Sequence, residues 1–295
     1  MPSELSAAQP LFLTTREVAD LIRVKERKVY DLAAAGEIPH RRVTGKLLFP
    51  RDEILLWIQG EGDKTPAIQD RPPVVTGSHD PLLDWAIRES DCGLATLFNG
   101  SSEGLSGFMA GRAVASGLHI PSDTDWNIDA VEERKMTDCV LLSWATRQRG
   151  LILSQEAEAD IATLGDTSGL RFVQRQAGAG AQALLGRLLA EAKMTPSAFD
   201  PASPVARTES DAAAMVADGE GDVALGLAAM AKRYSLRFVP LLQERYDLIF
   251  DRRAYFTDPV QHLIAFLGSE ALQTKARAMT GYDVSDCGRV RWNAP

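Results

Sequence analysis

The sequence predicts an α/β chain in two folded parts, a small helix-rich head and a larger body, on three observations. First, from Val74 onward short apolar runs alternate with amphipathic ones, as strands do with helices in an α/β sheet. Second, before that point two short helical patterns with a tight turn between them are followed by a basic, glycine-centred run. Third, the stretch Glu61–Pro73, EGDKTPAIQDRPP, is polar, carries prolines and has no helical period, which marks it as a linker. The expected division is therefore 1–60, a linker at 61–73, and 74–295.

The head opens with a helix whose start is well marked. Thr14 and Glu17 have the spacing of a capping box, and Leu13 can staple onto Val18. Val18, Ala19, Leu21 and Ile22 then share one face, and the chain must turn at Arg23 and Val24. A second helix over Lys25–Ala35 buries Val29 and Leu32 and ends at Gly36, while Lys25, Arg27, Lys28 and Tyr30 lie on its other face. This is the helix-turn-helix plan, in which the second helix enters the major groove by its N-terminal half. After Pro39, residues His40–Phe49 have the pattern of a hairpin wing turning at Thr44 and Gly45. Pro50 admits a third helix, with Asp52 and Glu53 near its positive end and Ile54, Leu55, Trp57 and Ile58 turned inward.

From Leu13 to Ile58 the segment resembles the excisionase-type, MerR-like winged helix-turn-helix family. That resemblance implies a DNA-binding surface made of Thr15, Arg16, Lys25, Arg27, Lys28 and Tyr30 with the wing residues Arg41, Arg42 and Lys46. Lys25 departs from the family, standing where a Ser or Thr cap is common, so the recognition helix starts less firmly. Thr14–Lys46 holds eight Lys+Arg against five acids. The alternative use of such a surface is a solvated or protein-binding one.

The totals limit the function classes. The chain has 295 residues, a formal net charge of −8, and 45% hydrophobic residues with no apolar run long enough to span a bilayer. Met1–Gly60 carries nine Lys+Arg against eight acids, and the remainder 23 against 32. The body would therefore repel DNA without its own basic head. Cys92, Cys139 and Cys287 show neither a disulfide frame nor zinc spacing. The first dozen residues lack a secretory pattern, so a cytoplasmic protein without membrane attachment, metal or resident cofactor is expected.

In the body, strands are expected at Val74–Thr76, Leu94–Phe98, Leu118–Ile120, Val140–Trp144, Leu170–Val173, Val223–Leu225, Phe238–Leu242 and Leu248–Phe250. Helices are expected at Pro81–Glu89, Glu103–Ser116, Ala181–Lys193, Asp211–Ala217 and Leu227–Tyr234, with two more in Pro259–Met279. This alternation argues a largely parallel sheet. Four glycine-bearing loops draw attention: TGSHDP (Thr76–Pro81), FNGSSEGLSG (Phe98–Gly107), RQAGAGAQ (Arg175–Gln182) and GDVALG (Gly221–Gly226). Free amides at a helix start suit an anion, although Ser, Asp and Gly also cap helices with no ligand at all.

The motifs GSHDPLLDW, NGSSEGL, FVQRQAGAGAQALL, ADGEGDVALGL and LRFVPLLQERYDLIF resemble the periplasmic-binding-protein-like domain related to molybdate-binding proteins. The resemblance implies two α/β lobes joined by crossing strands with a ligand between them. It implies contacts from Ser78, His79, Asn99, Ser101 and Ser102 in one lobe and Arg175, Gly178 and Gly180 in the other, with Asp222 and Tyr246 as further candidates. Arg175 has two open readings, a fork onto an anion or a salt bridge to an acid such as Glu244. Asp222 could equally be a cap, Tyr246 a core residue, and His79 a structural hydrogen-bonder.

Together these expectations describe a one-component regulator that binds operator DNA as a homodimer or higher oligomer and senses a small anion. Molybdate, tungstate or another oxyanion is implied by the resemblance. An organic acid or sulfonate suits the same residues. An enzyme on the same scaffold is disfavoured by the lack of any nucleophile-base spacing, HExxH, P-loop or GxSxG. A recombination accessory factor is disfavoured by the size of the body.

Overall fold

The computed structural model describes residues 11–43, 45–58, 71–123, 125–157 and 160–295, which divide into compact units at Asp70/Arg71. Most of the expected linker and the turn residue Thr44 lie outside the described residues.

In the first unit, β1 (Phe12–Leu13) leads into α1 (Thr15–Leu21). The capping box is present: Thr14 Oγ1 accepts from the Glu17 amide at 3.3 Å, and the Glu17 carboxylate accepts from the Thr14 amide at 2.7 Å. The turn to α2 (Glu26–Ala34) puts Arg23 in the left-handed region at φ 56°, and Lys25 sits at the N-cap with no side-chain hydrogen bond. Gly36 closes the helix at φ 71°. The wing is β2 (Arg41–Val43) against β3 (Lys46–Pro50), with β1 on the other side of β3, and α3 (Arg51–Ile58) follows. Leu13, Val18, Ala19, Val29, Ala33, Ile38, Phe49 and Ile54 form the core. Two expectations need correction. Thr15 is the first residue of α1 and is buried, and Ile58 ends α3 on the exposed side at 45%.

The second unit runs β4 (Val74–Gly77), α4 (Pro81–Glu89), β5 (Ala95–Phe98), α5 (Ser101–Met109), β6 (Ala115–Leu118), α6 (Ile128–Glu133) and β7 (Cys139–Leu153). It continues with β8 (Arg171–Arg175), α7 (Gly180–Glu191), β9 (Asp200–Ala206), α8 (Glu209–Ala217), β10 (Val223–Leu227), α9 (Ala228–Arg233) and β11 (Arg237–Asp251). The chain ends with α10 (Asp258–Leu267), α11 (Glu270–Ala278), β12 (Tyr282–Asp283) and β13 (Val290–Asn293).

One ten-stranded sheet has the order β5-β4-β6-β11-β7-β10-β8-β9, with β12 and β13 paired to β7. Within each lobe the strands are parallel: β4 with β5 and β6, and β8 with β9 and β10. The two 15-residue strands β7 and β11 pair antiparallel along nearly their whole length and belong to both lobes. The expected separate strands at 140–144, 238–242 and 248–250 are thus parts of two long crossing strands, and the sheet is mixed. Each lobe packs helices on both sheet faces, giving two cores in the first lobe, around Trp144 and around Phe108, and two in the second, around Ile152 and around Phe172.

Two further differences have local causes. The expected helix Glu103–Ser116 stops at Met109, and Gly111 at φ 74° turns the chain so that Ala115–Leu118 becomes a strand buried on both faces. The strand Asp200–Ala206 escapes a sequence reading because Pro201 and Pro204 interrupt it. It lies at the sheet edge, where a missing N–H is tolerated.

Candidate functional site

Parallel strands place the helix starts of each lobe at the carboxyl ends of β4, β5, β8 and β9, on the side where the lobes meet. Asp80 caps α4 by accepting from the Leu83 amide at 2.7 Å, and Thr208 caps α8 in a second capping box with Asp211. The starts of α5 and α7, at Gly100 and Ala179, have no side-chain cap. Apart from the Ser102 amide, which the Gly178 carbonyl accepts, their first-turn amides supply the partial positive charge of the site.

Three of the four glycine-bearing loops come together. Ser78 and Ser101, both buried, share a 2.9 Å hydroxyl hydrogen bond, and Ser101 Oγ also accepts from the His119 amide at 3.2 Å. Across the lobes the Ser102 amide donates to the Gly178 carbonyl at 3.3 Å. The approach requires glycine. A Cβ on Gly100 would stand 2.5 Å from the Gly178 carbonyl oxygen, one on Gly180 would stand 2.5 Å from the His119 carbonyl, and one on Gly178 would overlap the Glu103 carboxylate. Asn99, exposed at the rim, accepts from the Thr76 hydroxyl at 3.2 Å. His79 lies edge-on to Phe98 with its Nδ1 buried and without a hydrogen-bond partner. Burial pushes its pKa down, against the opposing pull of Asp80 and Glu209, so the ring is neutral near pH 7.

The fourth loop does not join. Asp222 stands at the amino end of β10, the far end from the helix starts, where it accepts from Arg171 at 2.6 Å. Its expected place in the ligand site is corrected: an acid preceding a parallel strand lies at the opposite sheet edge from the loop that follows it. Tyr246 is fully buried, stacks on His119 with centroids 5.9 Å apart, and donates to the Ser78 carbonyl at 2.5 Å. It holds the serine loop from behind.

Arg175 pairs with an acid, and that acid is Glu209 at 2.8 Å, the first residue of α8; the remaining guanidinium N–H groups reach the Ala206 and Arg207 carbonyls. Glu209 belongs to a buried chain of charges. Arg149 donates to both Glu209, at 3.1 and 3.2 Å, and Glu244, at 2.7 and 2.8 Å. Arg147 lies between Glu244 and Asp80, donating to Asp80 at 2.7 Å, with its guanidinium 4.4 Å from the centre of the Tyr246 ring. Trp144 and Tyr282 also donate to Asp80, at 2.9 and 2.6 Å. Three guanidinium groups face three carboxylates, so the cluster is formally neutral. Burial alone would raise the Glu209 and Glu244 pKa values, but Arg149 with Arg175, and Arg147 with Arg149, outweigh it and hold both well below the ordinary range. Burial outweighs Glu244 at His119 and keeps that ring neutral.

None of Arg147, Arg149, Glu209 or His119 stood out in the sequence, and Glu244 was expected only as a partner for Arg175, a place that Glu209 takes. The available signal was WATRQRGLIL, in which two arginines two residues apart fall on one face of an otherwise apolar strand. Buried arginines demand acids, but which acids cannot be read from spacing.

On the head, Arg16, Lys25, Arg27, Lys28 and Tyr30 are exposed, the last four around the start of α2, and Arg42 and Lys46 are exposed on the wing. Arg41 is also exposed but donates to Glu53 at 2.8 Å, so part of its charge is already matched.

Comparison with known proteins agrees with both units. The model of the helix-turn-helix domain matches residues 12–62, and that of the PBP superfamily domain matches residues 85–268. The protein YvgK of Bacillus subtilis (strain 168) is 22% identical over 300 aligned positions, covering 94% of this chain and 96% of that one. Among solved structures, a substrate-binding protein of Clostridium perfringens with bound phosphate superposes with a TM-score of 0.53 at 12% identity, covering 70% of this chain and 96% of its own. Corynebacterium glutamicum OxyR superposes with a TM-score of 0.48 at 10% identity, over 90% of this chain and 89% of its own. A helix-turn-helix domain joined to a ligand-binding domain is the make-up of a non-enzymatic DNA-binding regulator, and the chain belongs to the PBP superfamily.

Proposed function

We propose that this protein is a cytoplasmic one-component transcriptional regulator whose effector is a small anion held between the two lobes. The observation that carries the reading is the meeting of the uncapped starts of α5 and α7 with the Ser78–Ser101 pair across a glycine-lined approach. An effector that binds one lobe arrangement more tightly shifts the balance toward it, and a homodimer would carry that shift to two helix-turn-helix heads on paired half-sites.

Two classes of anion suit the site. The family resemblance points to molybdate or tungstate, and the Clostridium perfringens neighbour carries phosphate, so a bare oxyanion is one reading. The second, an organic acid or sulfonate, is favoured by the charge balance. Arg147, Arg149 and Arg175 are already matched by Asp80, Glu209 and Glu244, which leaves a bare dianion only neutral dipoles to replace its water.

The test is DNA binding by the full chain to the region upstream of its own coding sequence, titrated with molybdate, phosphate and a panel of organic acids. Midpoints that shift with one class of anion support the reading and choose the class. Midpoints unmoved by all of them sink it. Light scattering of the protein–DNA complex gives the number of chains.

A further inference from the structure

Beside the serine pair, α4 and α11 of the first lobe face α8 and α9 of the second across a cavity of about 570 Å³. His79, Trp85, Arg88, Lys232, Arg233 and Lys275 line it. Arg88 is matched, donating to Asp84 at 2.6 Å. Lys232, Arg233 and Lys275 have no carboxylate partner among the described residues. What two of them touch is aromatic: Lys275 Nζ stands 5.3 Å from the Trp85 ring centre, and Arg233 Cζ 5.8 Å from that of Tyr234.

Three like charges around one concave space repel each other, and low-dielectric walls focus their field inward. Part of the wall is apolar, with Trp85, Met230 and Met279 in the lining beside the polar Asp84, Ser210 and Thr280. Lys232 and Arg233 are exposed and Lys275 is half-buried where they border this space. The volume lies within the range of small-molecule sites, roughly 300–1,000 Å³, and a tetrahedral oxyanion would fill only a corner of it. His79 adds a directional group, because its unpartnered Nδ1 belongs to the residue that follows Ser78 and so joins this cavity to the helix-start cluster.

We propose that this cavity binds an organic anion with two or more negative charges and a planar or apolar body. Its charges are held by Lys232, Arg233 and Lys275, and its body lies against Trp85 and the two methionines. The inference rests on the second unit being a ligand-binding domain and adds the ligand's class and seat. Because the lining comes from both lobes, such a ligand ties one lobe to the other, which is the differential contact that a lobe-closing effector requires.

The probe is naphthalene-1,5-disulfonate, a planar dianion, titrated calorimetrically into the full chain at fixed ionic strength. The expected result is saturable binding of one equivalent, weakened at least tenfold in a Lys232→Ala/Arg233→Ala variant and in Lys275→Ala, in keeping with loss of charge-assisted contacts. These are surface or half-buried side chains, so the variants fold. Arg187→Ala, which removes a half-buried cation of α7 paired with Glu191 and Asp123 outside the cavity lining, leaves the affinity unchanged. The proposal is overturned if the probe does not saturate, if the cavity variants bind it as well as the parent, or if inorganic phosphate at the same ionic strength displaces it equally well. Failure of the regulatory reading looks different: DNA affinity ignores every anion while the disulfonate still binds in the cavity.

Discussion

The most exacting test of the charge cluster is Glu209→Gln. The substitution keeps the shape of the side chain but removes the carboxylate that Arg149 and Arg175 share, at 3.1 and 2.8 Å, inside a cluster where Glu209 and Arg149 are fully buried. The cluster then carries an unmatched positive charge out of reach of water. Breaking one partner of a buried pair costs about 3–5 kcal/mol. For a unit of this size, at about 2–4 °C per kcal/mol, melting of the second unit should fall by about 6–20 °C. Glu191→Gln, which loses an exposed pair with Arg187, is the control and should change stability by no more than about 1 kcal/mol.

The sign of the pH dependence follows from the same geometry. Glu209 has a depressed pKa in the folded chain, so its contribution is complete above the ordinary carboxylate range and is lost as pH falls below about 4.3 toward the folded value. The parent should therefore lose more of its melting temperature than the variant does as the pH is lowered below about 4.3. Scanning calorimetry across pH reads both effects. A Glu209→Gln protein that melts within 2 °C of the parent, about 0.5–1 kcal/mol by the same conversion, would refute the claim that this pair holds the cluster together.

Other outcomes follow from single contacts. Gly100→Ala places a methyl 2.5 Å from the Gly178 carbonyl at a φ of 106°, so the lobes should part and the radius of gyration in solution scattering should rise; an unchanged profile contradicts the close approach. Arg27→Ala, Lys28→Ala and Arg42→Ala should each weaken DNA binding and lower the salt slope by about 1 per lost phosphate contact. Arg41→Ala should do less, because Glu53 already shares its charge; anisotropy titrations across salt concentrations would reveal an equal effect if that is wrong. Lys25→Ser supplies the missing cap of α2 and should slow amide exchange in its first turn by about 0.5–1 kcal/mol of protection. Asp222→Asn breaks only an exposed pair with Arg171 and should leave anion binding untouched, with at most about 1 kcal/mol of stability lost.

The head was legible almost residue by residue, since caps, turns and helix faces depend on neighbours three or four positions away. Thr14, Glu17, Arg23 and Gly36 do in the structure what their spacing predicts. In the body the same local rules located the strand-end loops and the cap at Asp80, and the family resemblance supplied the two lobes. Local rules failed where a signal was diluted over length: of two strands of fifteen residues, one passed for a single short strand and the other for two, because each runs through two cores and keeps no single hydrophobic period.

What the amino-acid order determined alone was which segments fold, where each helix begins, and which loops present free amides. Tertiary structure decided which charges meet. Arg175 lies 34 positions from Glu209, Arg149 lies 95 from Glu244, and Asp80 lies 202 from Tyr282. Electrostatic pairing in a buried space depends on distance through the fold rather than along the chain, so no spacing rule could choose Glu209 over Glu244 for Arg175. The same reason hid the basic cavity, whose unmatched cations come from α9 and α11 and become neighbours only when the two lobes face each other.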